Sequence, residues 1–390
     1  MSIEFDSPNA AVQNAIIKVI GVGGGGGNAL EHMLAQDIKG VEFICANTDA
    51  QALRNSSAEC LLQLGQQITK GLGAGADPEI GRLAAEADRE RIRSALEGAN
   101  MVFITAGMGG GTGTGAAPVV AEIAKQMKIL TVAVVTKPFE IEGKKRLRLA
   151  EEGIKQLSQY VDSLITIPNN KLMSVLDKDI SFLDAFKAVN DVLFGAVKGI
   201  AALITRTGLI NVDFADVKTV MSEMGMAMMG TGIGTGPERA RLAAEAAIGS
   251  PLLEDIDLAG ARGVLVNITA GPDLSMREFG EVGEVIKKFT SEDANVVIGT
   301  VIDSEMCEEL RVTIVITGLL GHLSTQTLGA GDSSLVRAAD GSLDYHQLER
   351  PTVLRKQGVA TSSKPTVENT PADIEYFDIP AFLRRQEEVS

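Results

Sequence analysis

The chain has 390 residues, a formal net charge of −15, 45% hydrophobic and 22% charged residues, and 4% aromatics with no Trp. That length accommodates two ordinary domains and a tail. The acidity argues against a nucleic-acid backbone as partner, and the shortage of aromatics against a stacking platform for single strands. Cys45, Cys60 and Cys307 are scattered, which suits a reducing cytosol and predicts neither a disulfide framework nor a zinc site. His32, His322 and His346 lie far apart, so no His-based triad and no metal site built from side chains is expected. The polar, acidic start MSIEFDSPNAAVQNA is not read as a signal peptide. The longest apolar stretches are broken by charge, Gly or Pro, so no membrane insertion is expected.

Read in chain order, the first half alternates strand and helix. Residues 16–22 (IIKVIGV) form a near-continuous apolar run, as a strand buried on both faces requires. Four more such runs follow, at 41–47 (VEFICAN), 101–106 (MVFITA), 131–136 (TVAVVT) and 163–167 (SLITI). Helical stretches lie between them, such as 80–97 and 118–127. Strands separated by helices predict right-handed crossovers and a parallel sheet. From Phe182 to Thr205, apolar residues recur at steps of three or four: Leu183, Phe186, Val189, Leu193, Val197, Ile200 and Ile204. They form one face of a long, uninterrupted helix that can connect two domains.

The second half begins with a loop and a helix in GLINVDFADVKTVMSEMG, followed by helices at 238–248 and 276–289 and strands at 263–269, 296–302 and 311–317. This looser order predicts a smaller α+β domain with a mixed sheet. Residues 322–372 are rich in Ser, Thr, Gly, Asp and Pro and read as a disordered linker. About 50 residues of random coil reach ~40 Å root-mean-square. The stretch DIEYFDIPAFLRRQ (373–386) regains apolar and aromatic character. It reads as a short recognition peptide, against the alternative of a frayed end with chance hydrophobics.

Two glycine loops carry the chemistry. Gly21-Val22-Gly23-Gly24-Gly25-Gly26 satisfies G-x-G-x-x-G, the dinucleotide fingerprint. A dehydrogenase would also place an acidic residue at the end of the second strand for the ribose hydroxyls, and Asp49 could serve. The second loop, Gly107-Met108-Gly109-Gly110-Gly111-Thr112-Gly113-Thr114-Gly115, also follows a strand and precedes a helix. Glycines let backbone N–H groups converge on an anion, the helix N-terminus adds positive dipole, and the Thr hydroxyls can meet phosphate oxygens. A dehydrogenase has no use for this second loop, whereas a triphosphate can use two. The alternative, a tight packing turn, leaves the entropic cost of so many glycines without return. A third stretch, KGLGAGADP (70–78), reads equally as a loop over the nucleotide or as a mobile surface loop. The P-loop motif G-x-x-x-x-G-K-[ST] and N-K-x-D are absent.

Together these residues resemble the tubulin/FtsZ superfamily of GTPases, whose signature GGGTGTG stands here at 109–115. The likeness extends through NTDAQAL, KGLGAGA, KPFEIEGKKR, NVDFADVK, SPLLEDIDLAGARGVLVNITAG and the tail DIPAFLR, roughly residues 12–320 and the last dozen. Ile141 stands where many relatives carry an aromatic, and Phe377 where Leu is frequent.

The resemblance implies an α/β chain with a Rossmann-like parallel-sheet GTP-binding domain (13–181) and a central connecting helix (182–207). A smaller α+β domain with a mixed sheet (208–320) follows. A disordered N-terminus (1–12), a linker (321–372) and a tail peptide (373–390) complete it. It implies GTP/GDP on Gly24, Gly25, Gly26, Gly27 and Asn28 of the first loop and on Gly111, Thr112, Gly113 and Thr114 of the second, with Thr112 near the γ-phosphate. It adds Asp49, Ala74 and Asn169, with Glu142 and Arg146 at the ribose and phosphate edge. Phe186 becomes the base-stacking ring, with Asn190 and Asp191 reading guanine edges. A carboxylate can accept from the guanine N1–H and N2–H₂ pair, which adenine lacks. Mg²⁺ would sit on the phosphates.

Asp213 and Asp216 follow the long helix while the glycine loops precede it, so they are far from the phosphates of their own chain. They either cap a helix or act on another subunit; Asp213 stands where an N-cap would. The resemblance implies the second, with Asn211 beside them and the attacking water positioned at a junction between subunits. It further implies head-to-tail filaments that form the bacterial cytokinetic ring at midcell. The tail residues Asp378, Ile379, Pro380, Phe382 and Leu383 would dock membrane tethers of the FtsA and ZipA type.

Overall fold

The computed structural model describes residues 15–319 except 37, 174–175, 177–178, 207–209, 211, 224, 254–260, 292–293, 305 and 307. The expected disordered N-terminus, the linker, the tail peptide with Asp378, Ile379, Pro380, Phe382 and Leu383, and Asn211 lie outside these residues.

Among the described residues there are ten strands: β1 (Ile17–Val22), β2 (Val41–Asn47), β3 (Cys60–Gln63), β4 (Met101–Gly107), β5 (Leu130–Lys137), β6 (Ser163–Pro168), β7 (Gly225–Thr235), β8 (Gly263–Ala270), β9 (Asn295–Ile302) and β10 (Glu309–Leu319). The helices are α1 (Gly23–Ala35), α2 (Ala50–Arg54), α3 (Gln66–Thr69), α4 (Pro78–Ala87), α5 (Arg89–Leu96), α6 (Thr112–Gln126), α7 (Lys144–Leu157), α8 (Asn169–Met173), α9 (Phe182–Thr205), α10 (Phe214–Met221), α11 (Arg239–Ile248) and α12 (Met276–Lys287).

The strands form one continuous sheet in the order β3-β2-β1-β4-β5-β6-β7-β10-β8-β9. From β3 to β6 every pairing is parallel. β10 pairs antiparallel with both β7 and β8, and β8 pairs parallel with β9, so the far half is mixed as expected. The sheet runs unbroken across the expected boundary near 181–208, through a parallel pairing of β6 with β7.

Alternation along each strand divides the core. In β4, Met101 and Phe103 face one layer, with α1 and α9, while Val102 and Ile104 face the other, with α4 to α6. Beyond β7, α11 and α12 cover a third cluster on Val264, Val266, Val312 and Ile314. Helix α9 has the length and mean hydropathy of a membrane span (24 residues, 1.5). It instead buries Ala185, Val189, Leu193, Val197 and Ile200 against the sheet, which makes it a core helix.

Two expectations are corrected, and two strands are added. The helix read over 80–97 is two helices, α4 and α5, broken at Asp88, whose carboxylate accepts from Gly65 N (2.7 Å). Helix α6 begins at Thr112, six residues before Pro118, so the second half of the glycine loop, Thr112–Gly115, is itself the first turn of a helix. Strands β3 and β7 were not foreseen; the glycines of β7 (GMAMMGTGIGT) oppose strand propensity. Those glycines let α11 approach: a Cβ on Gly230, Gly232 or Gly234 would run into the carbonyl oxygens of Ala247, Ala243 and Arg239.

Candidate nucleotide-binding site

The order β3-β2-β1-β4-β5-β6 reverses direction of growth between β1 and β4, and a crevice opens there at the carboxyl ends of the strands. Both glycine loops leave from those two strands. Gly23 starts α1 at φ +73, and a Cβ on it would lie 2.7 Å from Gly113 N. A Cβ on Gly25 would lie 2.9 Å from Gly107 Cα. The two loops are therefore stitched to each other backbone to backbone, and only glycine permits it.

Most of the other glycines are demanded by packing, which corrects the argument that they answer to a ligand alone. Gly26 abuts Thr105 O, Gly111 abuts Ala74 and Asp77, and Gly115 abuts Pro78 O of α4. Gly24 and Gly110 alone among these line the cleft with open space where a Cβ would be.

What points to an anion is the state of the helix ends. The N-terminus of α1 is preceded by Val22 and that of α6 by Gly111; neither has a side-chain cap, and neither first turn holds an acidic residue. Two sets of free N–H groups and two positive dipole ends thus meet in one cleft. Thr112 Oγ1 lies 2.6 Å from Thr48 Oγ1 at the floor. Thr114 Oγ1 accepts from Gly109 N (2.8 Å) and so holds the loop's shape.

The cleft, about 260 Å³, brings together Gly24, Gly25, Asn28, Gly111, Thr112, Gly113, Glu142, Arg146, Asn169, Phe186 and Asn190. Glu142 accepts from Arg146 Nη1 (2.7 Å) and, with its other oxygen, from Phe139 N (2.9 Å), which fixes both charges at the rim. Asn169 is buried, and its Oδ1 has no hydrogen-bond partner among the described residues. Phe186 meets Phe139 at 5.3 Å and 86° and Phe182 at 4.9 Å and 72°.

Six expected residues do not line it. Gly26 and Thr114 stand behind the loops, Gly27 lies against Cys45 Sγ, and Ala74 is buried on Gly111. Asp49 caps α2, its Oδ1 accepting from Gln51 N (2.8 Å) and Ala52 N (3.4 Å). Asp191 turns away from the cleft and accepts from His32 Nε2 at 2.7 Å. Sequence reasoning missed Thr136, Pro138 and Gly110 in the lining and Gly23 as the stitch between loops; the positive φ of Gly23 could not be read from a run of five glycines.

Asp213 and Asp216 are exposed at the start of α10. Asp213 occupies the N-cap position, yet its side chain makes no capping bond; only its backbone carbonyl accepts, from Asp216 N and Val217 N. Helix α9 carries Asn190 near its beginning, and the remaining run to Thr205 spans ~22 Å. The acids therefore sit well away from their own cleft. A larger cavity, about 590 Å³, lies beside α9 between Asp191 and Arg311, away from both glycine loops, and no helix N-terminus of the cleft reaches it.

The family model described as "Tubulin/FtsZ family, GTPase domain" matches residues 16–177, and "FtsZ family, C-terminal domain" matches 225–320. The cell division protein FtsZ of Coxiella burnetii is 66% identical over 389 residues, which are 98% of this chain and 100% of that protein. FtsZ of Pseudomonas aeruginosa is 59% identical over 391 residues, 98% and 99% of the two chains. A solved FtsZ dimer from M. jannaschii, empty, matches with a TM-score of 0.75 at 45% identity, over 78% of this chain and 89% of that one. Two stitched glycine loops at the switch point, a sheet that continues into a mixed half, and relatives alike over nearly the whole length agree: the chain belongs to the FtsZ family of tubulin/FtsZ GTPases.

Proposed function

We propose that this cell-division GTPase holds GTP in the cleft between α1, α6 and α9, and hydrolyses it where a second copy of the chain brings Asp213 and Asp216 against the γ-phosphate. The observation that carries this reading is the pair of uncapped helix N-termini facing one cleft, together with carboxylates that no capping role occupies. The triphosphate supplies the acceptors those N–H groups lack. Phe186 takes the base and Asn190 its polar edge, while Arg146 and Glu142 stand at the ribose and phosphate edge.

Water attacks the γ-phosphorus, the bond to the bridging oxygen breaks, and GDP leaves with phosphate. Positioning and charge stabilisation do most of this work, so Asp213 and Asp216 need only orient and polarise the water. Among the described residues no group of three His, Cys, Asp or Glu is placed to hold a metal, and the cleft carboxylate of Glu142 is already engaged. A Mg²⁺ would accordingly be held by phosphate oxygens and water, where it offsets their charge.

Ile141 is exposed by 80% beside Glu142 at the edge of the cleft, an apolar side chain suited to being covered by another subunit. Head-to-tail contacts of this kind do not close and build a filament. The tail residues Asp378 to Leu383 are proposed to dock FtsA- and ZipA-type tethers at the midcell division site, a reading that rests on their sequence alone.

The test is phosphate release from GTP against protein concentration. A sharp onset at a critical concentration is expected. Activity that rises linearly from zero concentration would show that each chain is complete by itself.

A further inference from the structure

Three of the chain's twelve phenylalanines meet at the base end of the cleft, in a protein with 4% aromatics. Phe139 is buried, Phe186 is half-buried and lines the cleft, and Phe182 stands in solvent. A lone exposed phenylalanine is ordinary. Phe182 is not alone: it lies one helical turn before Phe186 on α9, with ring centroids 4.9 Å apart and planes at 72°. Phe139 meets the same ring at 86° from a different element.

The helix does not need Phe182 in order to start. Ser181 Oγ accepts from Asp184 N (3.1 Å), Asp184 pairs with Lys187 (3.2 Å), and the inward anchors are Ala185 and Val189. We propose that Phe182 is a positioning residue for the nucleotide base: with Phe139 it holds Phe186 between two near-perpendicular rings, so that its face is set for a flat heteroaromatic base before binding. The inference rests on Phe186 being the base-stacking ring. A ring ordered in advance loses less freedom on binding, and that difference appears as affinity.

The chain has no Trp, so Phe182→Trp in the full chain gives a single tryptophan, excited selectively over the three tyrosines, one ring away from the base. Below the concentration at which the protein assembles, GDP is expected to change its emission saturably. The midpoint should equal that from displacement of a fluorescent GDP analogue. If GDP displaces the analogue while the emission stays still, or moves only on assembly with GTP, Phe182 belongs to a subunit contact and the proposal is wrong. If GDP displaces nothing even from the wild type, the reading of the cleft itself fails, and the proposal with it.

In steady state, Phe182→Ala should raise KM for GTP about 2- to 10-fold with a smaller change in kcat, and Phe182→Tyr should restore it. A fall in kcat at unchanged KM, or the same KM for the Ala and Tyr variants, overturns it.

Discussion

Gly23 and Gly24 are adjacent, and a methyl group would meet different surroundings at each. At Gly23 the backbone is left-handed, and a Cβ would press on Gly113 N at 2.7 Å. At Gly24 nothing lies within 4 Å, and the missing side chain leaves part of the cleft. Gly23→Ala should therefore lower the stability of the nucleotide-free protein by about 1–3 kcal/mol. Gly24→Ala should leave it within about 0.5 kcal/mol yet weaken GDP binding by roughly tenfold or more. Thermal unfolding and nucleotide titration read the two effects separately; equal losses of stability in both variants would remove the distinction. The same contrast explains what a run of five glycines conceals. Composition marks the loop, but which glycine meets a ligand and which meets Thr105 or Pro78 depends on neighbours far along the chain.

Among the elements, α11 and α12 are joined by a buried ion pair. Arg239 Nε donates to Glu278 at 2.6 Å, and Ser275 N donates to the same carboxylate at 2.8 Å. The guanidinium beside it holds the Glu278 carboxyl down to about 2, against the desolvation that would raise it; Arg239 is held upward by the same contact. A depressed carboxyl stabilises the fold above its unfolded pKa of 4.5, and that stabilisation is lost as pH falls toward about 2. Glu278→Gln should cost on the order of 2–4 kcal/mol at neutral pH, with wild type and variant converging as the pH is lowered through that window. Urea unfolding at a series of pH values measures it, and a pH-independent difference would show that packing, not charge, is responsible.

At this scale much of the fold was legible. Helix α9 has the bounds its periodicity implies, because Ser181 caps it and one apolar face runs its whole length. β7 was not, because its glycines oppose strand propensity and make sense only against the carbonyls of α11.

For the whole molecule, the proposed division of the site between subunits makes a prediction by mixing. Asp213→Ala keeps an intact cleft and should bind GTP normally while hydrolysing it about 10²-fold more slowly or worse. Gly24→Ala keeps intact acids behind a poor cleft. With GTP held well below the weakened Kd of the Gly24→Ala variant, each alone should be nearly inactive, yet equal amounts together should recover up to about a quarter of the wild-type rate, because one junction type in four joins a sound cleft to sound acids. Phosphate release from the mixture decides the matter, and a mixture no better than its parts would mean that the acids act within one chain.

Among the described residues, the sheet is joined across its middle by three residue pairs between β6 and β7: Ser163 with Gly225, Leu164 with Met226, and Ile165 with Ala227. β5 and β6 share six pairs, and β7 meets β10 over nine. Helix α9 lies across that narrow joint, touching β5 on one side and β8, β9 and β10 on the other. The subunit is thus a beam with one thin section and a splint. Tension along a filament would concentrate its strain there, and α9 would carry that strain between Asn190 and the segment leading to Asp213. Mechanical load and the geometry of hydrolysis would then be coupled through a single rod.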